Sequence, residues 1–517
     1  MVLYAIFGKI TAMNMSAALA ALNLNPAQLD GVSALLSGLE KQTQRDALHI
    51  QALSQELARL KRWRFGAKQE ALTAVQRELF EEMVDTDCAA IEAELEQAPA
   101  APRAPRSRAG RQPLPAHLPR LEFRHEPECC TCGACGGALV HIGNDITEQL
   151  HVEPARFTVH RHIRPQYACR PCERIHAAPV PPAIIDGGMA TPGLLAWVLM
   201  GKYLDHLPLY RLEQSAARHG VPLARSTLAE WVGRCGVALQ PLADRLAHHL
   251  RQRTVLHADE TPVPQLEPGR GTTKRAYLWV YRSNDLDSGP PLVLFDYQAG
   301  RSGEHARTFL SGWQGDLVVD DYAGYKALFT TGVREVGCMA HARRKFFDLH
   351  AANQSPEAAE ALRRIAELYA IEARGRTFDA LDRQALRAQH AIPALQALHA
   401  WLMQTRSQTA NGSALAKAID YSLKRWTALS RYASSGNLPI DNNPVENSIR
   451  PIAIGKKNWL FTGSERAGRR AAAIQSLLAT ARLNGLDPAA WLNDTLTKLP
   501  TWPNSRIDEL LPIPLNT

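Results

Sequence analysis

Between residues 35 and 60 the apolar side chains Leu39, Ile50, Leu53, Leu57 and Leu60 recur at three- and four-residue spacing with charges between them. That is the pattern of an amphipathic helix. Leu39, Leu53 and Leu60 share a heptad position, although Asp46 falls in the same register. The periodicity predicts a helix able to form a coiled coil, and a helix packed on its own domain would read the same way. Lys61, Arg62, Trp63, Arg64 and Phe65 follow as a basic cluster with interleaved aromatics, suited to phosphates or simply to a solvated helix end. Residues 98–119 are rich in Ala, Pro and Arg and read as a linker that cannot bury enough apolar area to fold.

Helical periodicity returns at residues 191–235. Leu194, Leu195, Val198 and Leu199 mark one apolar face, and Leu209, Leu212 and Ala216 mark another. Residues 215–231 read as helix, glycine-containing turn and helix, with Ser226 as a natural N-cap. A helix-turn-helix would bring Arg225, Ser226 and Thr227 to a DNA groove, though many helix pairs carry no DNA. From residue 255 the text changes to period-two and continuous apolar runs. Residues 255–258, 276–281, 292–297, 317–319 and 333–339 read as strands, with a helix at 304–313 between the third and fourth. Residues 357–432 are helical text poor in strand formers, too long for a simple connector. Residues 477–499 give two more amphipathic helices, broken near Gly485 and Pro488.

The expected architecture is a multidomain α+β chain. Three successive strands, a helix and then further strands is the order of a ribonuclease-H-like mixed five-stranded sheet, here with an all-helical insertion. The segments are an N-terminal extension (1–33), a helical zipper (34–97), the linker (98–119), a zinc-binding domain (120–186) and a helix-turn-helix-like region (187–252). The catalytic domain follows in two parts, 253–350 and 436–470, around the insertion at 351–435, and a helical domain at 471–517 closes the chain.

Lys and Arg outnumber Asp and Glu by 59 to 51, a formal charge of +8, which fits a polyanionic partner and equally a slightly basic enzyme. No stretch approaches the roughly 20 apolar residues of a membrane span, so no membrane association is expected. The apolar start is interrupted by Lys9, and Met13 and Met15 are alternative starts. Six of the nine cysteines lie between Cys129 and Cys172, a crowding that points to metal in a reducing cytoplasm. Cys132-x-x-Cys135 and Cys169-x-x-Cys172 supply four thiolates for structural Zn²⁺. Cys129-x-x-Cys132 is also a legal knuckle, and the Gly136-Gly137 pair favours Cys132 with Cys135 because a tight turn under a metal suits glycine.

Three acids sit where metal ligands are useful. Asp259 closes the apolar stretch from Val255, Asp320 closes that from Leu317, and Glu446 lies just inside a helix start after Asn443 and Pro444. Two carboxylates on strand ends and one on a helix can hold a pair of Mg²⁺ or Mn²⁺ ions. Taken singly, each has a plain structural reading: strand-ending turn aspartates, or a glutamate in a capping arrangement with Asn443 as N-cap and Arg450 as its i+4 partner. Glu260, Asp321 and Asp441 are neighbouring alternatives. His341 reads as steadying the fold behind the site or as a core histidine. Downstream, Arg450, Lys456, Lys457, Asn458 and Trp459 mix cations, an amide and an aromatic, a blend that suits strand-end phosphates and an unstacked base; a solvated basic turn is the alternative.

Ordered blocks carry a resemblance. Arg64-Phe65-Gly66, the cysteine knuckles, residues 202–210 (Lys202 to Tyr210), His257-Ala258-Asp259, residues 320–325, residues 338–347 with Cys338 and His341, Asp441-Asn442-Asn443-Pro444-Val445-Glu446 and residues 455–459 are similar to transposases of the insertion sequence 66 family, DDE-type enzymes of bacterial mobile elements. The resemblance implies an acidic triad of Asp259, Asp320 and Glu446 and zinc ligands Cys132, Cys135, Cys169 and Cys172. It further implies DNA as partner, end recognition by the N-terminal half, and often small companion proteins of the same element. The expected function is metal-dependent hydrolysis at element ends and direct 3′-hydroxyl strand transfer, in the cytoplasm, by a homo-oligomer joined through the N-terminal helix. A metal-dependent nuclease or resolvase without strand transfer, and a zinc-containing regulator with an inactive catalytic domain, remain open on sequence.

Overall fold

The computed structural model of the chain describes residues 38, 41–58, 60, 85–94, 114, 116–126, 135, 137–153, 156–267 and 272–514. The chain divides into two units, residues 1–62 with 91–108, and residues 63–90 with 109–517. In the first, residues 41–58 are helical, and Leu53 and Leu60 are buried while most of the polar positions are exposed. Leu39, the basic cluster at 61–65 and most of the linker lie outside the described residues.

In the second unit, residues 85–90 are helical, and a small sheet follows. Strands β1 (Arg120–Arg124), β2 (Val140–Glu153), β3 (Arg156–Cys169) and β4 (Arg174–Ala177) pair with β3 at the centre. The two strand-like runs read at 157–163 and 166–169 are one continuous strand, because β2 pairs with β3 along nearly its whole length and carries it through Pro165. Three helices follow: α1 (Pro192–Tyr203), α2 (Leu209–Arg218) and α3 (Arg225–Leu250). The apolar faces read for the first two are buried as expected. The N-cap of α3 is Ala224, and Ser226 lies inside the first turn, one of the boundary shifts that sequence reading meets at helix ends.

The larger sheet has the order β7-β6-β5-β8-β9, from β5 (Val255–Leu266), β6 (Thr273–Ser283), β7 (Val293–Gln298), β8 (Asp316–Val319) and β9 (Arg334–Gly337). β5, β6 and β7 form an antiparallel meander, and β8 and β9 add in parallel after helix α4 (Gly303–Phe309). This is the strand order expected from the sequence, with one correction. Asp259 does not end its strand: β5 runs on to Leu266. Pro262 and Pro264 hide this in the sequence. They are tolerated because β8 pairs with β5 only as far as His257; beyond it β5 meets only a bridge to Thr462, which uses the Pro264 carbonyl and the Leu266 N–H, so the missing proline N–H groups cost no ladder bond there.

Alternation along these strands sorts side chains to two faces. Ala276, Leu278 and Val280 of β6 meet Val445, Ile449 and Ile452 of helix α11 (defined below), whereas Trp279 and Tyr281 face the cluster that contains α3. Val255 and Val318 face the helical insertion. That insertion comprises α5 (Met339–Asn353), which leads into it, then α6 (Pro356–Arg374), α7 (Ala380–Leu386), α8 (Ile392–Ser407), α9 (Ala414–Lys424) and α10 (Trp426–Ser430). The chain then returns through α11 (Asn443–Trp459), α12 (Glu465–Leu483) and α13 (Pro488–Lys498). Helix α12 covers the open edge of β7. The buried hydroxyls of Ser476 and Thr480 accept the N–H groups of Phe295 and Val293 at 2.8 and 3.2 Å, so the sheet has no free edge there. Among the described residues no helix is long and apolar enough to cross a membrane.

The insertion is held by a buried arginine. Arg387, with no exposed surface, opens a π-helical turn between α7 and α8. It donates to both Glu372 carboxylate oxygens at 2.9 and 2.5 Å and to the carbonyls of Tyr432 and Leu438 at 3.0 and 2.8 Å. Replacing it strands a buried carboxylate and several carbonyls. Arg387→Ala is therefore expected to destabilise the protein by about 3–5 kcal/mol, read as a large drop in urea midpoint; a change under about 1 kcal/mol would show that the network carries no weight.

Candidate active site and thiolate cluster

Parity along the sheet brings the acids together. Asp259 shares the face of Val255 and Val263, the side on which α11 packs, while Glu260 shares the face of Leu256 and Ala258. Asp320 follows β8 directly, on the parity of Val318. Glu446 lies in the first turn of α11. Asp320 and Glu446 are both near enough to act electrostatically on Asp259, which is pushed up to about 8, chiefly by burial and then by Glu260, Asp320 and Glu446.

The neighbouring acids are engaged elsewhere. Glu260 is held by Arg301 at 2.5 Å and by the Tyr325 hydroxyl at 3.0 Å. Asp321 pairs with Lys326 at 3.0 Å and with Arg425 at 2.6 Å. Asp441 accepts from the Tyr369 hydroxyl and from the Asn443 amide N–H. Asp259 and Asp320 each accept one local backbone N–H, from Glu260 and Tyr322, on Oδ1 at 2.8 Å. Among the described residues no hydrogen bond is found on their second oxygens, which leaves those open to serve as ligands.

Helix α11 is fastened to β5 by Asn442, which the sequence reading passed over. The N-cap is Asn442 rather than Asn443, and its side chain makes no capping bond to the helix. Instead Nδ2 donates to the Ala258 carbonyl and Oδ1 meets His257 Nδ1, both at 2.9 Å. Since the amide nitrogen is spent on the carbonyl, His257 carries its proton on Nδ1. Burial holds this imidazole neutral, with its pKa pushed down to about 4. The Asn442 backbone N–H in turn reaches Cys338 Sγ at 3.2 Å, and burial pushes that thiol up to about 12. Glu446 is thus presented beside Asp259 by bonds one turn away from it, not by a capping box.

Two further residues reach the site from afar. Arg425, from the junction of α9 and α10, donates to the Asp320 carbonyl at 2.9 Å and also to Asp321 and Glu335. His341, in the first turn of α5, lies 3.7 Å from Glu446 Oε1 through Nδ1. The sequence signal for His341 was its place in the Cys338-x-x-His341 block; Arg425 had none.

The other candidate contacts are spread out. Arg225 is paired with Glu213 at 3.2 Å, Ser226 is exposed and Thr227 is half-buried. Arg450, Lys457 and Asn458 are exposed on α11, so this run is helix and not a turn. Lys456 donates to the Pro262 carbonyl at 3.2 Å. Trp459 packs against the cluster of Val263, Leu278 and Tyr297, which withdraws much of its ring from solvent.

In the small sheet, β3 delivers buried Cys169, and the turn to β4, with Glu173 at φ 53°, delivers Cys172. Their sulfurs and that of Cys135 lie within 4.8 Å of one another, Cys135 and Cys169 being 3.2 Å apart. Thiols converging in this way fit tetrahedral zinc. A Cβ on Gly137 would meet two of the sulfurs at 3.6 Å, ordinary contact, so the space does not demand glycine there. Cys132, Cys129 and Cys130 lie outside the described residues.

Family models match most of the chain. "Transposase IS66 family" covers residues 187–470, "IS66 C-terminal element" 476–513, "zinc-finger binding domain of transposase IS66" 129–173 and "Transposase C of IS166 homeodomain" 52–122. Curated relatives include "Uncharacterized protein y4jD" of Sinorhizobium fredii, 38% identical over 475 residues that span 89% of this chain and 92% of the relative. "Uncharacterized protein y4qI" of the same organism is 36% identical, spanning 94% of this chain and 97% of the relative. These matches describe the class of DDE insertion-sequence transposases with a zinc finger. The chain belongs to the IS66 transposase family.

Two outcomes follow from the geometry. Asn442→Ala, which orphans the buried Ala258 carbonyl, is expected to destabilise by about 1–3 kcal/mol and to weaken Mn²⁺ binding several-fold; unchanged Mn²⁺ titration calorimetry would show that the clamp does not present Glu446. For Asp259, an acid held above its ordinary 3.8 binds its proton more tightly in the fold than unfolded, so its contribution declines as pH rises from about 4 through about 8. In metal-free buffer Asp259→Asn should melt above wild type at pH 8, with the gap closing towards pH 4, and added Mn²⁺ should narrow it by raising wild type alone. A pH-independent difference would refute this.

Proposed function

We propose that the protein is a DNA transposase whose catalytic residues are Asp259, Asp320 and Glu446, acting within a ribonuclease-H-like domain. The observation that carries the reading is that Asp320, after β8, and Glu446, in the first turn of α11, both bear electrostatically on Asp259 of β5. The order β7-β6-β5-β8-β9, an antiparallel meander followed by parallel additions, supports the fold assignment, and family membership supports the activity.

The donor set fits divalent cations. Three carboxylates are gathered in partial burial, Asp259 is starved of countercharge, and Glu446 Oε1 is a buried acceptor without a hydrogen-bond donor. Such a cluster is stable when ionised only if cations share it. Asp259, Asp320 and Glu446 would together hold the ions. A pair of Mg²⁺ or Mn²⁺ ions would supply an activated water or 3′-hydroxyl and stabilise the departing oxygen.

The chain's own residues do the rest. Asn442 and Arg425 keep the helix-borne and strand-borne acids in register. Exposed Arg450, Lys457 and Asn458 are placed to take phosphates of the DNA strand, with Lys456 and Trp459 behind them. The first turn of α3, with Arg225, Ser226 and Thr227, would contact the element ends, Arg225 exchanging its Glu213 partner for phosphate or base. Cys132, Cys135, Cys169 and Cys172 would hold structural zinc. The reaction begins with water attacking the phosphodiester at an element end and releasing a 3′-hydroxyl. That hydroxyl then attacks a target phosphodiester and displaces its 3′-oxygen, with no covalent protein intermediate. The working form is a cytoplasmic homo-oligomer joined through its N-terminal helix, assisted by small companion proteins of the element.

Incubating wild-type protein with end-bearing DNA, target DNA and Mg²⁺ tests this. Joined products are expected, and alanine at Asp259, Asp320 or Glu446 should reduce them by roughly a hundredfold or more while the melting temperature and DNA affinity persist. Cut ends without joining would make the protein a nuclease; full activity in any of the three variants would dismiss the triad.

A further inference from the structure

We propose that His341 is a direct nitrogen ligand of the cation held by Glu446, so that one of the two ion sites is mixed nitrogen and oxygen and favours Mn²⁺ over Mg²⁺. The inference rests on reading the acidic centre as a cation site, and adds to it a residue outside the acidic triad.

The starts of α5 and α11 are tied to each other. The Met339 N–H donates to the Ile440 carbonyl at 3.0 Å, and the Asn442 N–H reaches Cys338 Sγ at 3.2 Å. These bonds place the first turn of one helix against the first turn of the other, and His341 and Glu446 stand on those two turns. His341 Nδ1 and Glu446 Oε1 lie 3.7 Å apart. That is too long for a hydrogen bond and too short for a water between them. Both atoms are nonetheless buried, and neither has a hydrogen-bond partner among the described residues.

Two donors at this separation can share one ion at bond lengths of about 2.0–2.2 Å. Each side chain as a whole keeps about a third of its surface open, 32% for His341 and 34% for Glu446, so an ion can enter. Cys338 belongs to the same cluster, its sulfur within 4.8 Å of the other two donor atoms. It is only 1% exposed and already receives the Asn442 N–H, so it sits behind the pair as support. An imidazole nitrogen beside carboxylate suits a transition ion, whereas Mg²⁺ holds to oxygen ligands.

The test uses tag-free full-length protein supplied with zinc, freed of other divalent cations and titrated with Mn²⁺ alone. Electron spin echo spectroscopy of the Mn²⁺ form should show the ¹⁴N coupling of a bound imidazole, and that coupling should vanish in His341→Ala and in His341→Gln. Calorimetry should show Mn²⁺ affinity at one site falling about 10- to 100-fold in both variants, with Mg²⁺ affinity changing less than about threefold; comparable losses for the two metals would overturn the proposed preference. The wild-type spectrum needs no variant to fold, and His341→Gln keeps a polar side chain where alanine leaves a gap. Bound Mn²⁺ that depends on Asp259 but carries no nitrogen coupling overturns the proposal and leaves the acidic centre standing. Coupling that survives in both variants also overturns it. Mn²⁺ binding indifferent to Asp259→Asn would instead remove the acidic centre itself.

Discussion

The Asn442 side chain, wholly removed from solvent, bonds at once to the Ala258 carbonyl and to the ring of His257. It spans 184 and 185 positions of chain to do so. Everything proposed for the acidic centre depends on this clamp, because a helix that merely packed on the sheet through Val445, Ile449 and Ile452 could slide or turn by a residue at little apolar penalty. A directional, buried polar contact does not tolerate such a shift. It fixes which turn of α11 faces Asp259, and Glu446 lies on that turn.

The insertion is part of the same construction. It leaves the sheet after β9 and returns before α11, yet it sends Arg425 back to the loop after β8, where the guanidinium grips a carbonyl and two acids. Asp321 is drawn aside by that arginine, while Asp320 is left with only one local N–H donor. On the other face Glu260 is neutralised by Arg301 and Tyr325. Countercharge is therefore supplied to these neighbours, while Asp259 feels the like charges of Glu260, Asp320 and Glu446. The electrostatic deficit at Asp259 is the physical opening for cations.

The fold of the catalytic region was largely legible because its strands alternate cleanly and its helices carry single apolar stripes. What misled was local chemistry with two meanings. Pro262 and Pro264 look like a strand terminus, but they lie on a half-strand whose neighbour has ended, where proline does no harm. Asn443 looks like the cap, but the cap position falls to Asn442, whose side chain bonds β5 instead of the helix. Trp459 looks like a stacking platform, and burial against Tyr297 and its neighbours gives it a packing role.

Residue order alone determined most of the strand and helix order and the family to which the chain belongs, and it singled out the paired cysteines and the three acids, since each is written in spacing or in local periodicity. Parity along a strand even decided that Asp259 and Glu260 must part company. Only the tertiary structure decided that Asn442 locks α11 to β5, that Arg425 reaches the site from the insertion, and that His341 stands beside Glu446. These contacts join residues about a hundred or more positions apart, and their bonds are made by groups whose local sequence is equally content with a cap, a surface ion pair or a core position.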